Sequence, residues 1–407
     1  MIDALAVDPE PADAPPTLLD ALARAPAAAA LVVAALEEEE DRKALRLVHP
    51  QLCDAVGEAT TKLTLDPRVD AAARPPTPRR WPRLEALTIW GPDEAAIEAL
   101  GSGTWVALQA LCLEDMHYWS GHRMPPPSAH ALATALQQMP ALRALALKEE
   151  YFSDAEASKL FSASVPQLRV LALVQVHVKP AAARALAATG WPLEELDLSG
   201  NFDLGATGVA ALAAAPTFAL RRLSLKSCSV DATSVLAVAS APWPLEELDL
   251  SRNDFRDAAA GPALAALSRH AGLRKLDVSG CHLSPANFKA LVEAAWPALA
   301  SFNAGAGWVV GPLALGAAAF AGFPALEELV LPSMSLDEAG ALLLSRRWPR
   351  LKKLDLHEVW LAGAGAPALA RGEWPALKTL RVGPGLGPLT LEDARRWAPA
   401  LEELLRV

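Results

Sequence analysis

The chain has 407 residues, 52% hydrophobic and 21% charged, enough apolar material for a large core and too much for wholesale disorder. It carries 37 Lys and Arg against 47 Asp and Glu, a formal charge of -10, which argues against nucleic acid and anionic membrane as partners. Four cysteines, Cys53, Cys112, Cys228 and Cys281, lie far apart with no CxxC spacing, so a reduced, intracellular chain without a zinc knuckle is expected.

Residues 1–16 are rich in Pro, Ala and Asp and read as a flexible acidic tail. They lack the basic n-region of a signal peptide and are acidic where a transit peptide would be basic. The longest apolar run, Ala27 to Leu36, is far short of the ~20 residues a membrane span needs, so a cytoplasmic or nuclear protein is expected. Residues 17–66 read as short helices, TLLDALARAP, AAAALVVAALEE and EEDRKALRLVHPQLCDAVGEATTKLTLD, and residues 67–80 as a linker. The first 66 residues hold 13 of the acidic and 5 of the basic side chains, leaving a nearly balanced 34 and 32 for the remainder.

From residue 81 to 407 one phrase recurs: a bulky apolar residue, usually followed by Pro, then L-x-x-L-x-L. It runs from WPRLEALTI at Trp81 through WPLEELDL at Trp191 and Trp243 to APALEELLRV at Ala398, thirteen copies with a period of about 26 residues. The L-x-x-L-x-L core predicts a short strand with its leucines inward and its intervening residues on one outer surface. Between the strands, ATGVAALAAA, ATSVLAVAS, AGPALAALSR and SPANFKALVEA have helical apolar spacing. Each helix is expected to begin near a capping residue, as with Asp231, Ser284 and Asp337, and to end at Trp-Pro because proline cannot continue it.

This stretch resembles the leucine-rich repeats, most closely the ribonuclease-inhibitor-like and cysteine-containing subfamilies. The resemblance implies an α/β solenoid, a horseshoe of about 13 repeats with a parallel concave sheet and convex helices. Asn201, Asn253, Cys228 and Cys281 fall on the consensus Asn/Cys position, which in that family hydrogen-bonds loop backbone. Trp81, Trp105, Trp191, Trp243, Trp296, Trp348 and Trp374 occupy one place in the phrase and are expected to stack as an aromatic spine, each ring covering its neighbour.

The outward strand positions alternate in charge: Glu194-Glu195, Arg221-Arg222, Glu246-Glu247, Arg274-Lys275, then Glu327-Glu328 beside Lys352-Lys353. Strands ~4.8 Å apart would turn this into a cross-strand ion ladder. A central stripe of Asp197, Asp249, Asp277 and Asp355, taken as exposed with few neighbouring cations, would instead select a basic partner segment. Trp90 and Trp360 come just after strands and join that concave binding face, Trp119 lies in an insertion and Trp308 in a Gly-rich turn; each could equally plug the core.

The interval from Leu108 to Leu142 is 34 residues and holds DMHYWSGHRMPPPSAH, a candidate binding loop. Its His117, His122 and His130 match no ligand spacing, so no metal is expected. NAGAGWVVGPLALGA from Asn303 has no phosphate-loop signature, and no nucleophile elbow or H-E-x-x-H occurs, so neither a cofactor nor a catalytic site is expected.

Residues 17–66 resemble an F-box. Ala25-Pro26 stands where that family has L-P, Leu31, Val32, Val33 and Leu36 form the middle, and Leu45, Leu47 and Val48 form L-R-L-V before the strand KLTLD. His49 replaces the usual Cys or Ser, and the family's Trp is absent. The resemblance implies that Pro26, Leu31, Val32, Leu36, Leu45 and Val48 dock on a Skp-type adaptor of a cullin ubiquitin ligase. The competing reading makes these helices a cap on the first repeat. The sequence therefore points to a non-enzymatic receptor, monomeric outside its complex, that holds a protein target on the concave face. The alternatives are a scaffold or inhibitor with no ligase link, or a GTPase-activating scaffold, for which no arginine stands out.

Overall fold

The computed structural model describes residues 61–65, 77–92, 94–114, 129–149, 152–307, 318–331, 333–336, 348–361, 367, 370–383 and 390–406. The chain forms two compact units, one of Met1–Lys148 with Ser162–Leu168, the other of Glu149–Phe161 with Arg169–Val407.

In the first unit, strands β1 (Lys62–Leu65), β2 (Ala86–Trp90), β3 (Ala110–Glu114) and β4 (Ala144–Lys148) pair in parallel in chain order. The ladder begins one strand before the first copy of the phrase, because KLTL has the same alternation and sets Leu63 opposite Leu87 and Leu65 opposite Ile89. Helices α1 (Glu94–Leu100) and α2 (Ala129–Gln137) follow β2 and β3. His130 lies exposed on α2, and the remainder of the insertion, with His117, His122 and Trp119, falls outside the described residues.

The second unit repeats the plan. Its strands are β5 (Val170–Val174), β6 (Glu195–Asp197), β7 (Arg222–Ser224), β8 (Glu247–Asp249), β9 (Lys275–Asp277), β10 (Ser301–Asn303) and β11 (Glu328–Val330). A short β12 (Met334–Leu336) follows, then β13 (Lys353–Leu356), β14 (Val359–Leu361), β15 (Thr379–Val382) and β16 (Glu403–Arg406). β12 and β14 form their own two-stranded parallel sheet, and the other ten pair in parallel in sequence order. Each phrase thus ends in a strand, and its three leucine positions point inward, as Leu193, Leu196 and Leu198 do, all at most 2% exposed. Each such side chain contributes on the order of 1.5–3 kcal/mol by leaving water.

Helices α3 (Asp154–Leu160), α4 (Pro180–Ala187), α5 (Gly205–Ala213), α6 (Ala232–Ser240), α7 (Ala260–Ala266) and α8 (Pro285–Glu293) connect the strands, and a short α9 (Leu391–Arg395) precedes β16. From α3 to α8 each packs on the next. Asp231 and Ser284 cap α6 and α8 through the backbone N–H of Ser234 and Asn287. The expectation of a cap at every helix is corrected at α4, α5 and α7, which start at Lys179, Leu204 and Ala259 without a side-chain cap bond; proline opens α4 instead. Asp337 lies outside the described residues.

After each of β5 to β10 the chain turns through one left-handed residue in the same slot: Gln175, Gly200, Ser227, Arg252, Gly280 and Ala306. At Gly200 (φ 79°) a side chain would also strike Gln175, since a Cβ there would lie 2.5 Å from its Cγ. After Gly200, Ser227, Arg252 and Gly280 the next residue is the consensus Asn or Cys, whereas Val176 and Gly307 follow Gln175 and Ala306. Asn253 is 4% exposed; its Oδ1 accepts from Cys228 N and Val230 N, both at 3.0 Å, and its Nδ2 donates to Leu225 O at 2.9 Å and Leu250 O at 2.7 Å. Asn201 repeats this with Val176 N, Val178 N, Leu173 O and Leu198 O. Cys228 and Cys281 donate from Sγ to Leu198 O at 2.9 Å and Leu250 O at 3.1 Å. The family's loop-backbone bonding is therefore present at all four positions.

Burial pushes both of these thiols up to about 12. A native-state pulse of N-ethylmaleimide at pH 8 is accordingly expected to spare Cys228 and Cys281 and to modify them only after unfolding. Peptide mapping that found either one labelled within minutes in the folded protein would contradict this burial.

The seven phrase tryptophans are buried, between 1% and 6% exposed. Their ring contacts correct the picture of face-to-face stacking. Trp191 meets Phe161 edge-on at 5.9 Å, Trp296 meets Phe323 tilted at 6.3 Å, and Trp348 meets Phe320 edge-on at 6.0 Å, the offsets that aromatic quadrupoles favour. Trp105 Nε1 and Trp296 Nε1 donate to the carbonyl five residues earlier, Leu100 O at 2.9 Å and Leu291 O at 3.0 Å. Trp243 departs from this. His270 Nε2 lies 2.9 Å from the equivalent carbonyl, Val238 O, and Trp243 Nε1 is buried without a hydrogen-bond partner.

Candidate functional site

The outward positions of β5 to β9 floor a shallow depression of about 530 Å³, lined by Ala172, Glu195, Asp197, Arg222, Asp249 and Lys275 among others. It exists because inward leucines leave every second residue free to face out, while strand register aligns those residues in rows. One row runs Ala172, Asp197, Ser224, Asp249, Asp277, Asn303, Val330, Asp355, Arg381 across adjacent strands of the second unit. The four aspartates do share a row.

Their state differs from the sequence expectation of exposed, unpartnered carboxylates. Asp197, Asp249 and Asp277 are half-buried, and each accepts from the backbone N–H two residues on, Ser199, Ser251 and Ser279, at 2.8–2.9 Å. Asp277 also accepts from Asn303 Nδ2 at 2.8 Å. Asp355 is 5% exposed and accepts from His357 N, His357 Nδ1 at 2.7 Å and Arg381 at 3.3 Å. These carboxylates hold the turns after their strands in an Asx arrangement, and of the four only Asp355 is also paired with an arginine.

Trp360 is 64% exposed but lies on β14, in the two-stranded sheet outside the aspartate row. Trp90, half-buried at the end of β2, belongs to the first unit. Pro26, Leu31, Val32, Leu36, Leu45, Val48 and Trp308 lie outside the described residues.

The two rows nearest the strand starts form the expected ion ladder. Arg169 pairs with Glu194 at 3.5 Å, Arg221 with Glu246, and Arg222 with Glu195, with Glu247 at 4.0 Å on its other side. Further along, Lys352 pairs with Glu327 at 2.7 Å, Lys353 with Glu328 at 2.5 Å, and Lys378 with Glu402 at 2.7 Å. Partial burial opposes ionisation of Glu328, but hydrogen bonds from Lys353 and Ser301 outweigh it and hold its pKa below the ordinary glutamate value. Its contribution to stability is present above the usual carboxylate range and lost as pH falls through that lowered pKa.

These are exposed pairs, Arg222 being 53% exposed along its side chain. Arg222→Ala is expected to cost less than about 1 kcal/mol at low salt and almost nothing at 1 M NaCl, measured by urea unfolding. A larger, salt-independent loss would show that the ladder is a structural element in its own right.

The ladder has one break. The alternation calls for acids after Arg274-Lys275, but Ala300 and Ser301 stand there, the latter directly opposite Lys275. Arg274 and Lys275 are exposed, and among the described residues neither forms an ion pair. The sequence alternation could have flagged this pair by what is missing beside it. No group of His, Cys, Asp and Glu suited to a metal ion occurs among the described residues, and none of their helices is long and apolar enough to cross a membrane.

The model of the family described as "Leucine Rich repeat" matches residues 192–213 and 244–261, the phrases of β6 and β8 with the segments that follow. Among curated proteins, the chain is 32% identical over 187 residues to Monocyte differentiation antigen CD14 of Mus musculus, covering 44% of this chain and 46% of that protein. The Rattus norvegicus protein of the same name is 36% identical over 102 residues, 24% and 27% of the two. The chain thus spans less than half the length of these relatives. Among solved structures, an internalin (inlF) from Listeria monocytogenes is similar with a TM-score of 0.45 at 15% identity, over 79% of this chain and 82% of that one. A chain of the yeast Rad7 and Elc1 complex gives 0.44 at 14%, over 93% and 92%. The parallel strand ladders, the asparagine-held turns and the family match together make the fold a leucine-rich-repeat solenoid.

Proposed function

We propose that this leucine-rich-repeat protein is a non-enzymatic recognition module that holds a protein target on the outward face of its sheet. Residues 17–66 would tether it, as an F-box-type receptor, to a Skp-type adaptor of a cullin ubiquitin ligase in the cytoplasm or nucleus. The observation that carries the target-binding half is the open depression over β5 to β9, floored by short side chains and rimmed by fixed charges of both signs. Such a surface selects a polypeptide by shape and charge, and the chemistry of modification would come from the ligase. What supports the tether is the order of apolar residues Pro26, Leu31, Val32, Leu36, Leu45 and Val48 ahead of a repeat array.

The test is a pull-down of purified Skp-type adaptor by the full chain, beside a Leu45→Asp/Val48→Asp variant that places charge in the apolar contact. Adaptor retained by the wild type and lost by a variant of unchanged circular dichroism supports the tether. Adaptor absent from both lanes removes the ligase link and leaves a scaffold or inhibitor whose first helices only cover the solenoid end.

A further inference from the structure

The depression over β5 to β9 is unequal in charge once its internal pairs are set aside. Glu195 and Glu247 flank Arg222, and Glu247 also stands opposite Lys275 in register. Lys275 further helps to hold Glu328 ionised. The charged lining residues that remain are Asp197, Asp249 and Asp277 against Lys226. Among the described residues these three aspartates are held only by neutral donors, which fix the direction of a carboxylate without cancelling its charge. Both oxygens of Asp277 are taken, by Ser279 N and by Asn303 Nδ2. Asp197 and Asp249 use only Oδ1, on Ser199 and Ser251, so Oδ2 of each has no partner among the described residues.

Register sets Asp197 and Asp249 on either side of Ser224, a short half-buried residue whose hydroxyl lies 2.8 Å from that of Ser199. The two carboxylates therefore border a notch two strand spacings wide, about 10 Å, enough to hold two cations of one segment at once. Resting on the target-binding reading above, we propose that this notch is the docking point for a basic segment of the protein target, whose lysine or arginine side chains pair with Asp197 and Asp249. The aspartate row as a whole does not act this way, because Asp355 is paired with Arg381 and Asp277 is bound on both oxygens. The chain's net charge of -10 draws a basic segment toward the molecule, and the notch decides where it stays.

The experiment uses the full chain and fluorescein-labelled hexalysine, read by anisotropy at low ionic strength, with hexaglutamate as the opposite probe. Binding of hexalysine is expected, weakened about tenfold in Asp197→Asn/Asp249→Asn. Asparagine still accepts through Oδ1 from the N–H of Ser199 or Ser251, so the turns are kept and melting should be unchanged. Glu94→Gln/Glu98→Gln removes the same charge from exposed positions on α1 and should leave binding nearly unchanged.

Hexalysine that fails to bind, that binds the wild type and the aspartate variant alike, or that is weakened equally by the α1 variant overturns the proposal. Hexaglutamate captured instead, and released by Lys226→Ala/Lys275→Ala, overturns the basic preference while leaving the same face as the target-binding surface. Neither probe binding overturns the proposal and removes the support that the depression gives to target binding.

Discussion

Asn253→Ala is expected to lower the unfolding free energy by about 3–5 kcal/mol, among the largest single losses available outside the apolar core. The substitution strands three buried backbone groups, Cys228 N, Val230 N and Leu225 O, while Leu250 O keeps the thiol of Cys281 as a donor. Each left unsatisfied costs about 1–3 kcal/mol, and partial relaxation of the turns keeps the total below their sum. Two consecutive repeats share these bonds, so the loss spreads across their boundary and should appear as early exchange of amides from β7 to β8. Asn253→Cys, which installs the residue found in the same slot at 228 and 281, should recover part of the loss, since a thiol can still donate to the carbonyl of residue 225 as Cys281 does to Leu250. The measurement is equilibrium urea unfolding with hydrogen exchange. An alanine loss under about 1 kcal/mol would mean that water replaces the amide at this position.

That slot was legible in the sequence because a polar residue recurs where an apolar strand ends, and the strands were legible because three leucines at fixed spacing recur beside Trp-Pro. What failed to be legible depends on geometry that residue type does not encode. An aspartate on a strand reads as an exposed charge, yet Asp197, Asp249 and Asp277 bend toward the N–H of the residue two places on. That N–H is presented because the chain turns there, into the left-handed residues Gly200, Arg252 and Gly280 that come next. Trp360 read as part of the concave face because it follows a strand; the intervening turn at His357 and Glu358 instead starts a second strand, β14, paired with β12. β1 joins the ladder without a Trp-Pro phrase, because strand pairing needs only its alternating leucines and a free edge on β2. The charge ladder was readable as a pattern, and its unpaired step only as a gap in that pattern. The adaptor-binding residues between Pro26 and Val48 rest on sequence order alone.

Trp296→Ala is expected to cost about 3–5 kcal/mol, since it removes an indole 1% exposed that packs against Phe323 and leaves a cavity the sheet cannot close. The more discriminating result comes from phenylalanine. Trp296→Phe keeps most of the ring but removes the donor to Leu291 O, stranding that carbonyl at the helix end. Trp243→Phe makes the same change in ring size, yet its Nε1 has no partner to lose, and Val238 O keeps its bond to His270. Removing a buried, unsatisfied donor returns free energy that removing a satisfied one does not. The loss at position 296 should therefore exceed that at 243 by about 1–2 kcal/mol. His270→Ala then supplies the cross-check. It frees Val238 O for the indole of Trp243, so Trp243→Phe in that background should cost as much as Trp296→Phe does in the wild type. Equal losses at 243 and 296 in the wild-type background would mean that the indole of Trp243 already shares a hydrogen bond, and that the imidazole has displaced nothing.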